Sequence, residues 1–158
     1  MLRTMGKFGV FILVFLLLLP LAGCQQKNEE PEEPPKIEKV TDAPVEITDL
    51  KAEEAIMYNE GYIYYKNVTD KLIDRVEFEM LLFNRDGQAI KDTHSKSSCK
   101  RVISESRLLP NTVTDRGWYI QKGTAKIKAR VAKVVFSDGT TWEDPEIIQW
   151  IEREATQY

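Results

Sequence analysis

Residues 75–90 read RVEFEMLLFNRDGQAI. Val76, Phe78, Met80 and Leu82 alternate with Glu77 and Glu79, so an extended chain carries an apolar face on one side and a charged face on the other, the period of a half-buried strand. A helix would scatter the same residues around its axis. The run stops at Asn84-Arg85-Asp86-Gly87, a turn in which glycine supplies the positive φ, and QAIKDT then resumes as the expected partner strand of a hairpin.

The same period recurs on both sides. VEITDL, from Val45, places Val45, Ile47 and Asp49 on one side; GYIYYKN (61–67) is rich in tyrosine; TVTDRGWYI (112–120) puts Trp118 and Ile120 on a shared face. AKIKARVAKVVF (125–136) is alternating and β-branched, and after the turn Ser137-Asp138-Gly139-Thr140 comes the short strand TTW. Seven short strands with turn signals between them, and no internal repeat, predict an all-β fold, an antiparallel immunoglobulin-like β-sandwich over residues 45–145. The period changes only in the C-terminal segment, 146–158. Asp144 can cap, Pro145 suits a first helical position, and Ile147, Ile148, Ile151 and Ala155 recur at near-helical spacing, which predicts a short amphipathic helix from Pro145 to about Ala155. It is expected to close one end of the sandwich; the alternative is that Trp150 and the isoleucines dock on a partner or on a membrane.

Upstream the chain has another character. Arg3 and Lys7 precede an apolar run from Phe8 to Leu19, and small residues lead to Cys24, in the order of a secretory signal. Phe8 to Gly23 is interrupted by Pro20 and is shorter than the ~20 residues needed to span a bilayer, so residues 1–23 are read as a cleaved signal peptide. Leu21-Ala22-Gly23-Cys24 resembles the bacterial lipoprotein box, in which the cysteine thiol receives a diacylglyceryl group and becomes the first residue of the mature protein. The resemblance implies a lipid anchor at Cys24, fatty-acylated (palmitate-type chains), on the extracytoplasmic side of the cell membrane. Two acyl chains hold a protein at a bilayer where one does so only marginally. Residues 24–44, rich in glutamate and proline, bury too little to order themselves and are expected to be a disordered tether.

GYIYYKNVTDKLIDRVEFEMLLFNRDGQAI (61–90) resembles the FxLYD-type and related immunoglobulin-like modules of secreted bacterial proteins. The likeness is carried by Gly61, Asn67, Thr69, Phe83, Asn84 and Gly87, by LLPNT, where Asn111 stands in place of the usual glycine, and by the closing VVFSDGTTWEDP. Asn84 also replaces a commoner aspartate, and asparagine tolerates the left-handed geometry such turns use. The resemblance implies a fold and no catalysis.

Charge and composition narrow the partners. The full chain has 22 Lys and Arg against 25 Asp and Glu. Removing residues 1–23 takes away two cations, so the mature charge is (22 − 2) − 25 = −5. A net acidic chain argues against nucleic acid as a partner. With Cys24 acylated, Cys99 has no disulfide partner, and stability must come from a packed core.

No motif for catalysis, metal or cofactor stands out. His94 and Cys99 are an odd number of residues apart and would face opposite sides of a strand. Zinc needs clustered His and Cys, and calcium loops need alternating aspartates, neither of which occurs. Lys126, Lys128 and Arg130 alternate along one strand; they form either a basic stripe for an anionic cell-wall polymer such as a teichoic acid, or a face paired with acids such as Glu77 and Glu79. Tyr62, Tyr64 and Tyr65 cannot all face inward, so one aromatic side is expected to be accessible. The sequence reads as a membrane-anchored, non-catalytic binding module of the cell envelope, partnered by membrane lipid through Cys24 and by an envelope protein or anionic polymer. The rivals are a small acid-dependent hydrolase using Glu77 and Glu79, and a spacer or envelope-stress component without a tight ligand.

Overall fold

In the computed structural model, residues 34–93 and 95–158 are described. Cys24, its box Leu21, Ala22 and Gly23, and His94 lie outside them. The described residues form, in order, seven strands, β1 (Val45–Glu54), β2 (Asn59–Asn67), β3 (Ile73–Phe83), β4 (Cys99–Ser104), β5 (Val113–Ile120), β6 (Lys126–Phe136) and β7 (Thr141–Glu143), and then one helix, α1 (Ile147–Glu154). They form two antiparallel sheets, β1-β2-β5 and β4-β3-β6-β7, packed as a sandwich. The strand division is that of immunoglobulin-like sandwiches, with β4 at the edge beside β3. No described helix is long and apolar enough to cross a membrane.

The alternation in β3 decides the layers. Val76, Phe78, Met80 and Leu82 are buried in the core between the sheets, beside Ile127, Ala129 and Val131 of the neighbouring β6 and across from Ile63 and Tyr65 of β2 in the other sheet. Tyr65 stacks edge-on against Phe78 at 5.0 Å and Phe78 against Trp118 at 6.1 Å. The polar ends of both rings find partners: the buried Tyr65 hydroxyl donates to Ser104 Oγ at 2.7 Å, and the Nε1–H of the partly buried Trp118 donates to the Ile103 carbonyl. Two irregularities adjust the register. A shift between Ile47 and Asp49 re-phases β1, so that Leu50 is buried and Asp49, expected on the side of Val45 and Ile47, is exposed. In β6 an extra residue at Ala132 lets Val131 and Val134 both face the core.

The turn after β3 forms as expected, with Gly87 at φ +80°, and Asn111 takes the left-handed geometry at φ +57°. The hairpin does not form as expected. Beyond Gly87, Ala89 makes one isolated bridge to Phe83, and Asp92 then folds the chain into a polar turn by accepting from the Ser95 backbone N–H. The strand paired to β3 on that side is β4, in which Val102 and Ser104 are the buried residues. So little apolar alternation gave no sequence signal.

Asn67 fixes the opposite corner. Its buried amide donates to the carbonyls of Lys71, Leu108 and Leu109, and its Oδ1 accepts from the backbone and hydroxyl of Thr69. The Asn-x-Thr pattern thus ties the β2–β3 turn to the loop before β5.

The helix is shorter than expected and sits elsewhere. It packs on the outer face of the four-stranded sheet rather than at an end, with Trp150 only 2% exposed over Leu81 and Phe83. The docked face is Ile147, Trp150 and Ile151, at i, i+3 and i+4, and this leaves Ile148 64% exposed. Asp144 is not the N-cap, which is Glu146. It accepts instead from the Glu146 backbone N–H and from Arg130.

Candidate functional site

The expected binding residues stand on opposite sides of the sandwich. Ile63 and Tyr65 of β2 point into the core, so Tyr62 and Tyr64 emerge on the outside of β1-β2-β5. Lys126, Lys128 and Arg130 emerge on the outside of β4-β3-β6-β7, since Ile127, Ala129 and Val131 are the core residues between them. The structure therefore does not join the tyrosines and the basic stripe in one face.

On the four-stranded side the stripe is covered. Lys128 is 6% and Arg130 3% exposed. Lys128 Nζ donates to Glu154 at 2.7 Å and to the Gln157 carbonyl, and lies 5.3 Å from the Phe83 ring centre. Lys126 sits 4.9 Å over the Tyr158 ring. The Arg130 guanidinium forks onto Asp144 and also reaches Glu38 and Glu146. Burial works against its charge, but the Asp144 carboxylate outweighs that and holds its pKa above the ordinary arginine value. Glu38 also binds Arg153 at 2.7 Å, and Ile37 packs against the core, so part of the segment expected as tether is seated on the sandwich. Val40, Ala43, Val45, Ile47 and Arg130 line a cleft of about 180 Å³ there, smaller than the roughly 300–1,000 Å³ of small-molecule pockets.

Glu77 and Glu79 do share a face, as their spacing requires. Each is claimed by arginine: Glu77 by Arg75 at 3.0 Å, and Glu79 by Arg101 at 2.6 Å. In this arrangement they act as counter-ions on the sheet. Cys99 donates to Glu79 at 3.1 Å. Burial, reinforced by that carboxylate, pushes the thiol up to about 12 from its model-compound value of 9.0. A shift of that size cuts the thiolate fraction about a thousandfold. Alkylation of Cys99 by iodoacetamide at pH 8 is accordingly expected to be slower than that of an exposed peptide thiol by at least about tenfold, the greater nucleophilicity of a high-pKa thiolate offsetting part of its scarcity, and Glu79→Gln should recover part of the rate. Among the described residues no group of three or more His, Cys, Asp or Glu could hold a metal.

The three-stranded face is left open. Tyr62 lies across Gly117 of β5, where a Cβ would come within 2.7 Å of the ring, so the glycine is there to let the tyrosine lie flat. The Tyr62 hydroxyl donates to Glu60 at 2.5 Å, and this hydrogen bond to a carboxylate pushes its pKa up to about 12. Tyr64 pairs in register with Asp49 and Asp115. At one end of this face Tyr58 and Tyr119 meet edge-on at 4.4 Å. In a spectrophotometric titration Tyr62 should ionise well above an ordinary tyrosine, because loss of its proton sets phenolate against carboxylate. Glu60→Gln should bring it back toward 10, the reference value.

The counter-ions Glu38, Asp144 and Glu154 escaped sequence reasoning. In sequence Asp144 has the look of a helix cap and Glu38 of tether; only Glu154, four residues after Trp150 on the docked face, carries a helical signal.

A family model described as a family of unknown function, DUF5780, matches residues 62–157. Among solved structures, a hypothetical protein from Peptoclostridium difficile 630 is similar, with a TM-score of 0.63 over 75% of this chain and 95% of that one, at 11% identity. A DUF1425 family member from Shewanella sp. pv-4 gives a TM-score of 0.42 over 55% of this chain and 75% of that one, at 10% identity. No curated protein matches the chain. The first likeness shows a shared fold, and a fold alone does not set activity.

Proposed function

The chain belongs to this family of unknown function, and we propose that it is an extracytoplasmic lipoprotein whose β-sandwich is a non-catalytic interaction module held at the cell membrane through acylated Cys24. The observation that carries the reading is the sequence frontier at Leu21-Ala22-Gly23-Cys24, where an apolar run ends in small residues and a thiol. The likeness of residues 61–90 to FxLYD-type modules supports an envelope setting. The asymmetry of the sandwich supports the interaction role: one outer face is closed by α1 and its ion pairs, while the Tyr62 and Tyr64 face is open, with amphipathic rings of the kind enriched at interfaces. The ligand for that face in this reading is an envelope protein. The covered state of Lys128 and Arg130 weighs against an anionic polymer on the other face.

Two measurements test the proposal. Metabolic labelling with an alkyne fatty acid should mark the protein and leave Cys24→Ser unmarked; equal marking of the two would sink the anchor. A photo-crosslinker at Tyr64 on intact cells should capture a discrete species that one placed at Ile148 does not, and identical capture from both positions would remove the interaction face.

A further inference from the structure

Four residues, Ala55–Tyr58, close the β1–β2 hairpin, and at their tip Ile56 is 96% and Met57 83% exposed. The tip points away from the sandwich core, with the Tyr58–Tyr119 pair beside it. We propose that this tip is a membrane-docking element, inserting Ile56 and Met57 into the lipid surface to which the chain is anchored. The proposal rests on the lipoprotein reading and adds the orientation of the domain to it.

Three observations favour lipid as the occupant. First, the described chain begins at this end. Lys36 lies 5.3 Å from the Tyr158 ring, and the Tyr158 backbone N–H bonds to Gly87 in the β3 turn. The hairpin tip belongs to the same end, since Asn59 donates to the Thr124 carbonyl and the Ala125 N–H to the Phe83 carbonyl. Nine residues, 25–33, lie between the acylated position and Pro34, ten chain steps with a reach of at most about 35 Å. So short a connection keeps the tip's end of the sandwich within range of the bilayer. Second, the tip has the composition of an interfacial anchor, two aliphatic side chains flanked by tyrosines whose rings suit the headgroup level. Third, exposed cations ring this end: Arg85, Lys91, Lys96 and Lys122, with Lys100 bonded to the Tyr119 carbonyl. In a net acidic protein such a grouping suits anionic headgroups. Of the nearby acids, Glu53 is paired with Lys51, Glu60 accepts a hydrogen bond from the Tyr62 hydroxyl and Asp92 accepts from the Ser95 backbone N–H, while Glu54 and Asp86 face solvent.

The test uses the full lipidated chain in a Cys99→Ala background, reconstituted into vesicles of equal parts phosphatidylglycerol and phosphatidylethanolamine. A nitroxide is placed at Met57→Cys, or at Leu109→Cys as a control at the opposite end. The label at 57 is expected to be accessible to oxygen and shielded from an aqueous nickel relaxant, at a depth of about 5–10 Å, and the label at 109 to show the reverse. Ile56→Asp should return the label at 57 to the accessibility seen at 109. Protein retained on the vesicles with both labels equally aqueous overturns docking and leaves the anchor standing. Protein released to the supernatant overturns the anchor and docking together. Spin–spin broadening at 57 with no gain in oxygen accessibility would assign the tip to a second copy of the chain instead, which also overturns the proposal.

Discussion

Arg130→Met is expected to lower the unfolding free energy by about 3–5 kcal/mol, because removing one member of a buried ion pair leaves the other uncompensated. The stranded partner is Asp144, whose carboxylate is almost fully buried and whose main cation is Arg130. Methionine keeps most of the arginine stem's packing, so the loss reports the charge rather than a hole. Asp144→Leu alone should be similarly damaging, since it leaves the guanidinium with only the half-exposed Glu38 and the exposed Glu146. The double variant Arg130→Met/Asp144→Leu should recover most of the loss, as apolar replacement of a whole buried pair is often neutral. Urea titration is the measurement, with the midpoint of each single variant falling by roughly 2 M and the slope unchanged. Two singles within about 1 kcal/mol of the parent would show that solvent screens the pair as it screens a surface bridge.

The Arg130 cluster also marks where sequence reasoning stopped. The strands β2, β3, β5 and β6 were legible because each carries several apolar side chains at a spacing of two, and the fold class followed from them. The β4 strand was not, since with Val102 and Ser104 as its buried residues it borrows its place from β3. In β6 the alternation of Lys126, Lys128 and Arg130 correctly placed them on one face. Their burial depended on α1 and on Glu38, which arrive from distant parts of the chain. A cation's exposure is set by what is packed over it, and that is tertiary information. The tyrosine alternation was read more fully, because two neighbours in a strand must face opposite ways whatever covers them. Neither the hairpin tip nor the flattening of Tyr62 over Gly117 could be read from local pattern: the first looks like a loop with apolar residues, and the second joins residues 55 positions apart.

Trp150→Ala is expected to weaken the docking of α1 by up to about 3–5 kcal/mol, the range for truncating a buried aromatic side chain. Eight residues cannot hold a helix in water without a packing surface, so the truncation should detach α1 rather than leave a void beneath it. Detachment exposes Leu81 and Phe83 and withdraws Glu154 from Lys128, so one substitution uncovers an apolar patch and a cation together. The sandwich core between the sheets is separate from this cluster and should survive. Hydrogen exchange would then show fast amides at Trp150 and Ala155, whose N–H groups bond within the helix, while the β3 and β6 amides stay slow. Binding of a hydrophobic dye should rise as the patch opens. Ile148→Ala, on the exposed side of the same helix, should change stability by no more than about 0.5 kcal/mol and leave dye binding at the parent level. If Trp150→Ala instead made β3 and β6 exchange as fast as α1, helix and sandwich would be one cooperative unit. The outer face would then be part of what holds the sheets together, and not a cover laid over a finished fold.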